Sequence, residues 1–211
     1  MRPEFIKNIV RNLQNPLPGK VAHKRMSPSH RFPFLKSPNV LQSKRGAVLI
    51  MLYQQEDLWY FPIILRPTYD GEHSGQLSLP GGKREFQDVD YKSTALRETE
   101  EEIGINISDI EILGELSTIY IPKSNYIVHP FIGYVSSKPR FVADKKEVEK
   151  IIEISVDSLS DVSILDFFSF ELNGKQVKAP SWKIDEHKLW GATAMVLAEF
   201  CDVANTKIDS I

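Results

Sequence analysis

The chain has 211 residues, 42% hydrophobic and 26% charged, a balance that supports one buried core and excludes a disordered polymer. No apolar run approaches the ~18 residues of a membrane span, and a single cysteine, Cys201, cannot form an internal disulfide, which suits a reducing cytoplasm. The net charge is −2 but uneven: residues 1–45 hold ten Lys or Arg and one acid, Glu4. Such a basic arm serves either to offset an acidic body or to meet the phosphates of a small substrate, through Lys20, Lys24, Arg25 and Arg31. It carries no nucleic-acid motif and no aromatic stacking pattern, so neither nucleic acid nor membrane is expected as a partner.

In chain order, Pro3 to Leu13 reads as a short amphipathic helix, with Phe5, Ile6, Ile9, Val10 and Leu13 on one side. Asn15 to Ser43 is rich in Pro and polar residues and reads as an extended arm over the surface. The expected division is therefore a helix and basic arm over residues 1–43 and a main domain over 44–205. Ala47 to Tyr53 is a continuous apolar strand of the kind buried on both faces. Glu56-Asp57 turns the chain, and Trp59 to Leu65 forms the next strand, ending at Arg66. His73 lies in the loop that follows and is assigned no catalytic role. Ile110 to Ile121 and Tyr126 to Val135 read as strands, as does Lys150 to Val156 after a charged loop containing Glu147. Phe167 to Leu172 and Gln176 to Pro180 flank Asn173-Gly174, a two-residue hairpin signal. A helix is expected from Lys188 to Val203, with Cys201 as packing. This order of elements fits a mixed sheet covered by helices on both faces.

The most informative stretch is Leu79 to Ile105. It opens on Pro80-Gly81-Gly82 and closes on Gly104, with Glu98, Glu100, Glu101 and Glu102 between them. Asp90 can cap a helix here and Gly104 can end it in the left-handed conformation. Leu96, Thr99 and Ile103 then share a core-seeking face, and Glu98, Glu101 and Glu102 point broadly the other way. Like charges at i, i+4 cost about 0.2–0.5 kcal/mol each. A hard divalent ion, Mg²⁺ or Mn²⁺, turns that repulsion into attraction. The plainer alternative is a solvated acidic face. At the end of its strand Arg66 is suited either to hold a phosphate or to make a surface ion pair.

The order of these parts resembles the Nudix box, a loop-helix-loop signature for hydrolysis of a diphosphate linked to another moiety. In one-letter code its pattern is G-x5-E-x7-R-E-U-x-E-E-x-G-U, with U apolar. Arg97-Glu98-Thr99-Glu100-Glu101-Glu102-Ile103-Gly104-Ile105 matches the second half, with Thr99 a weak U. The first half departs: after five intervening residues Gly82 is followed by Asp88 rather than Glu, and eight residues rather than seven separate Asp88 from Arg97, with Glu85 the alternative for the missing acid. That longer spacing, together with Arg66, Gly75-Gln76, Leu17-Pro18-Gly19 and Trp190-Gly191-Ala192-Thr193-Ala194, is similar to the coenzyme A diphosphatase branch.

The resemblance implies an α/β/α sandwich and a metal-dependent diphosphatase. It implies Glu98, Glu102 and Glu101 as metal ligands, with catalytic roles for Glu101, Arg97 and Glu147. Arg97 would orient a glutamate, and Glu147 is a base candidate that reads equally well as a surface acid. Arg66, Gly75, Gln76, Gly81 and Gly82 fall in the substrate-binding set, although Gly75 and Gln76 also suit a purely loop-shaping role. The implied substrate is coenzyme A or an acyl-coenzyme A, cut to adenosine 3′,5′-bisphosphate and a 4′-phosphopantetheine. ADP-ribose, dinucleotides and nucleoside triphosphates are rivals within the same chemistry. A non-catalytic module binding a nucleotide or RNA is a rival of another class, and the intact acidic run argues against it. A homodimer is left open.

Overall fold

The computed structural model describes residues 2–28, 42–68, 75–172 and 174–206. The expectations for His73, for Arg31 and for Asn173 lie outside the described residues, as does most of the arm beyond Pro28.

Strand β1 (Lys44–Gln55) is the axis of the molecule. On one side it pairs in parallel with β7 (Tyr126–Tyr134) along nine register positions, from Lys44↔Tyr126 to Leu52↔Tyr134. On the other side it is shared. Its first half pairs antiparallel with the short β4 (Gly81–Lys83), and its end pairs with β2 (Leu58–Leu65). β3 (Leu77–Ser78) and β8 (Lys150–Ser155) flank β2, while β5 (Glu111–Glu115) and β6 (Ile119–Ile121) flank β7. The sheet is mixed, as the alternating element order predicts.

The apolar run in β1 explains the layers. Alternate side chains leave a strand on opposite faces. Leu49, Met51 and Tyr53 enter one core with Ala95 and Ile103 of α3 (Tyr91–Ile103). Ile50 and Leu52 enter the other core, with Ile6 and Ile9 of α1 (Glu4–Asn12) and with Leu197 and Phe200 of α4 (Gly191–Val203). Ile6 and Ile9 are fully buried. Burying such a side chain stabilises by about 1.5–3 kcal/mol, so α1 is pinned to the domain.

Three expectations change. The single strand read from Ile110 to Ile121 is two, β5 and β6, interrupted at residues 116–118. The arm is not extended throughout: Lys20–Arg25 forms a short helix, α2, against α4. The cause is a buried polar anchor, because the Glu199 carboxylate of α4 lies 2.8 Å from His23 Nε2 and accepts from the Gly19 amide at 3.0 Å. The expected helix from Lys188 begins only at Gly191, since His187–Trp190 forms a strand, β11. That strand pairs antiparallel with β10 (Lys175–Ile184), from Ile184↔His187 to Ser181↔Trp190. β10 also pairs with β9 (Leu165–Leu172), Leu172 facing Lys175, which is the hairpin read from the sequence. Among the described residues no helix is long and apolar enough to cross a membrane.

Candidate active site

The site is assembled where β4 meets α3. Asp90 and Ser93 form a reciprocal capping box at the start of α3, and Gly104 closes it at φ +73°. Asp90 and Gly104 therefore fix the two ends as read from the sequence, and Ser93 adds a reciprocal bond that the sequence reading did not include. Gly82 is required by proximity: a Cβ there would lie 2.4 Å from the Glu98 carboxylate. Gly81, at φ +146°, turns its amide to donate to Glu102 Oε2 at 2.7 Å.

Arg97 organises the acids. Its Nε donates to Asp88 Oδ1 at 2.9 Å and its Nη2 to Asp88 Oδ2 at 3.0 Å. It also donates to Glu98 Oε1 at 3.0 Å, Glu101 Oε2 at 2.7 Å and the Lys83 carbonyl at 3.0 Å. Asp88 is buried, and it accepts from the Glu85 amide and the Thr94 hydroxyl as well. The Arg97 hydrogen bonds, supported by these two donors, hold its carboxyl down at about 2. The acid that departs from the family spacing therefore grips Arg97, while the side chain of Glu85 stays exposed and engages Gln87.

Three carboxylates converge. One oxygen each of Glu98, Glu102 and Glu147 lies within 4.8 Å of the others. Glu147 arrives from the turn before β8, where its amide donates to the Asp144 carbonyl at 3.0 Å. Glu102 does not point to solvent as its helical phase suggests. It is 1% exposed, tucked under β4 with its carboxylate against Gly81. Burial pushes its carboxyl up to about 8, against the Gly81 amide and Arg66, and with Glu98 and Glu147 adding to the rise. Burial also raises Glu98. Glu101 stands apart: it is exposed, paired with Arg97, and outside the three-carboxylate cluster.

Arg66 closes the site from β2. Its Nη2 reaches the Gly81 carbonyl at 3.3 Å and Glu102 Oε1 at 3.5 Å, and its Nε reaches Ser78 Oγ at 3.3 Å. Gln76 accepts from the Arg66 amide through its own carbonyl, and Gly75, at φ +62°, donates to the Pro67 carbonyl. Both thus fix the backbone that aims Arg66. Of the arm's cations, Arg25 is committed to Asp202 and the Ala198 carbonyl of α4, at 2.6 and 3.0 Å.

Beside Arg66 and Gly81 opens a cavity of about 970 Å³ between the large sheet, the three-stranded sheet and α4. Its wall carries Lys44, Lys123 and Tyr126, and on the far side Phe168, Phe170 and Trp190. Burial, then Glu98, pushes the Tyr126 phenol up to about 12. Sequence reading singled out Trp190 alone among these six, and only through resemblance. The others come from separate strands, and no local spacing links them.

Three carboxylates gathered beside a glycine turn and two arginines offer hard oxygen donors that could hold a divalent cation. The NUDIX domain model matches residues 43–173, and the chain belongs to that family. An uncharacterized Nudix hydrolase, NudL, of Yersinia pestis (strain Pestoides F) is 32% identical over 200 residues, covering 92% of this chain and 90% of the relative. Nudix hydrolase 15, mitochondrial, of Arabidopsis thaliana is 29% identical over 188 residues, covering 81% of this chain. The chain spans 62% of that relative's length, and 66% of a Photorhabdus laumondii NudL that is 29% identical over 125 residues and covers 59% of this chain. A MutT/nudix family protein from Enterococcus faecalis shares the fold, with a TM-score of 0.54 and 14% identity over 97% of this chain and 76% of the other.

Proposed function

We propose that the chain is a metal-dependent diphosphatase acting on coenzyme A or an acyl-coenzyme A. The observation that carries this reading is the convergence of Glu98, Glu102 and Glu147 at the edge of the cavity entered beside Arg66. The donor set fits a divalent ion. All three ligands are hard oxygens, and Glu102, held at about 8 by burial, gains a counter-charge when a cation binds. Glu98, Glu102 and Glu147 would hold Mg²⁺ or Mn²⁺, which would supply charge neutralisation to the diphosphate and acidify a water.

The protein's own groups do the remaining work. Arg97 fixes the Glu98 carboxylate through a charge-assisted bond and is itself gripped by Asp88 and Glu101. Glu101 thus acts on Glu98 through Arg97. Arg66 presents its guanidinium beside Glu102, where a substrate phosphate oxygen arrives. Glu147 is the exposed member of the cluster and the base for the attacking water. Water adds to one phosphorus and the bridging P–O bond breaks, giving adenosine 3′,5′-bisphosphate and 4′-phosphopantetheine.

Lys44 and Lys123 on the cavity wall support the coenzyme A reading, because its 3′-phosphate needs a cation that ADP-ribose does not. A charged hydrogen bond is worth about 1.5–3 kcal/mol. Coenzyme A is therefore expected to be cleaved about ten- to a hundredfold better than its 3′-dephospho form. The test is product identification by mass spectrometry over a diphosphate panel, with Glu98→Gln and Glu102→Gln as inactive controls. Equal rates on the two forms, or faster cleavage of ADP-ribose, reject the substrate and keep the chemistry. Absence of turnover with every diphosphate, together with tight nucleotide or RNA binding, rejects the enzyme reading. The cytoplasmic placement belongs to the same proposal and is checked by fractionation.

A further inference from the structure

The family match ends at residue 173, yet most of the cavity's far wall comes after it, from Trp190, Ala192, Thr193 and Val196. Phe168 and Phe170 complete that wall from one face of β9. Phe168 stacks on Trp190 with centroids 4.3 Å apart at 21°, and Phe170 lies 5.0 Å from Trp190 at 39°. A slot for a planar base needs two ring faces held open by two stacking distances. These rings close on one another, so they offer a continuous hydrocarbon surface instead. The same cavity reaches Arg66 and Gly81, so a substrate reacting at the carboxylates extends along this wall.

We infer that Phe168, Phe170 and Trp190 form a subsite for an apolar chain carried by the diphosphate substrate, an acyl tail in thioester linkage. This subsite sets a preference for the acylated over the free form. The inference rests on the diphosphatase reading for its substrate and on the aromatic wall for its location. No covalent step is involved: the tail leaves water and the wall loses its exposed ring surface.

The test uses the full chain with Mg²⁺ or Mn²⁺ and a series of coenzyme A thioesters of increasing acyl length. Burial of a methylene corresponds to about a three- to fourfold gain in kcat/KM per carbon until the chain outgrows the wall. Phe168→Ala should flatten that slope. Phe167→Ala, on the opposite, 44% exposed face of the strand, should leave it intact. Fluorescence reads the same contact without turnover: the chain has three tryptophans, and a length-dependent change should disappear in Trp190→Phe.

Cleavage of free and acylated forms at equal rates, with no length-dependent fluorescence change, overturns the subsite and leaves the diphosphatase reading standing. A length-dependent change without cleavage keeps the subsite and overturns that reading. A change produced equally by adenosine 3′,5′-bisphosphate alone makes the wall a base platform and overturns the inference.

Discussion

Asp88 shows what a single residue contributes here. It takes both Arg97 nitrogens, and its carboxyl stands at about 2, below its ordinary value of 3.8. A folded pKa below the unfolded one stabilises the fold at pH values above the unfolded value. That contribution fades as pH falls from about 4 through 2. Asp88→Asn is expected to cost about 1.5–3 kcal/mol at neutral pH, the range for a hydrogen bond to a charged group. Thermal melts of the two proteins should therefore separate at pH 7 and converge near pH 2. Coincident melts at pH 7 would remove Asp88 from the scaffold of the site. Glu147 tests chemistry rather than scaffold. Glu147→Gln should lower kcat by about 10²–10⁴, the usual contribution of a general base, with the fold unchanged by circular dichroism. A kcat within threefold of the parent would move the base elsewhere.

Among the elements, α2 and α4 are held by a buried polar knot. Glu199 is 0% exposed and meets His23 at 2.8 Å, the Gly19 amide at 3.0 Å and the Ser117 amide at 3.1 Å. Burial works to raise its carboxyl, but these partners outweigh burial and hold it below the ordinary range. The knot therefore stabilises above the ordinary carboxylate range and loosens as pH falls below it. Glu199→Ala leaves buried donors without an acceptor and should cost about 3–5 kcal/mol, measured by urea denaturation. Glu199→Gln keeps one acceptor and should lose less. Equal midpoints for Glu199→Ala and the parent would show that α2 docks by its apolar contacts alone. Because α4 also lends Ala192, Thr193 and Val196 to the cavity wall, the same substitution is expected to raise KM.

For the molecule as a whole, three converging carboxylates resist being charged together, and the Glu102 carboxyl rises to about 8 until a cation offsets it. Binding of a divalent ion to the native state only adds stability, about 2.7 kcal/mol at a hundredfold excess over Kd. In a chain of this length that corresponds to a rise in Tm of about 5–11 °C. Mg²⁺ should therefore raise the melting temperature of the parent and do so much less in Glu102→Gln, with chelator reversing both the shift and the turnover. Full activity in excess chelator would end the metal mechanism.

Local physics made much of this legible in the sequence. The cap at Asp90, the stop at Gly104, the two-faced strand Ala47 to Tyr53 and the turn at Gly81-Gly82 each follow from neighbouring residues alone. So does the acidic run from Glu98 to Glu102, since helical spacing sets which carboxylates can approach one another. What the run could not reveal was its own division of labour. Glu101 turned outward to Arg97, while Glu102 turned inward beneath β4, because β1 brings Gly81 to meet it. The approach of Glu147 and the helix within the arm were likewise decided by contacts distant in sequence. The start of α4 moved to Gly191 because β10 claimed His187–Trp190 as a strand. Short-range rules set elements and caps. Only the packed chain decides which buried charges share a site and which rings line it, because those choices depend on partners tens of residues away.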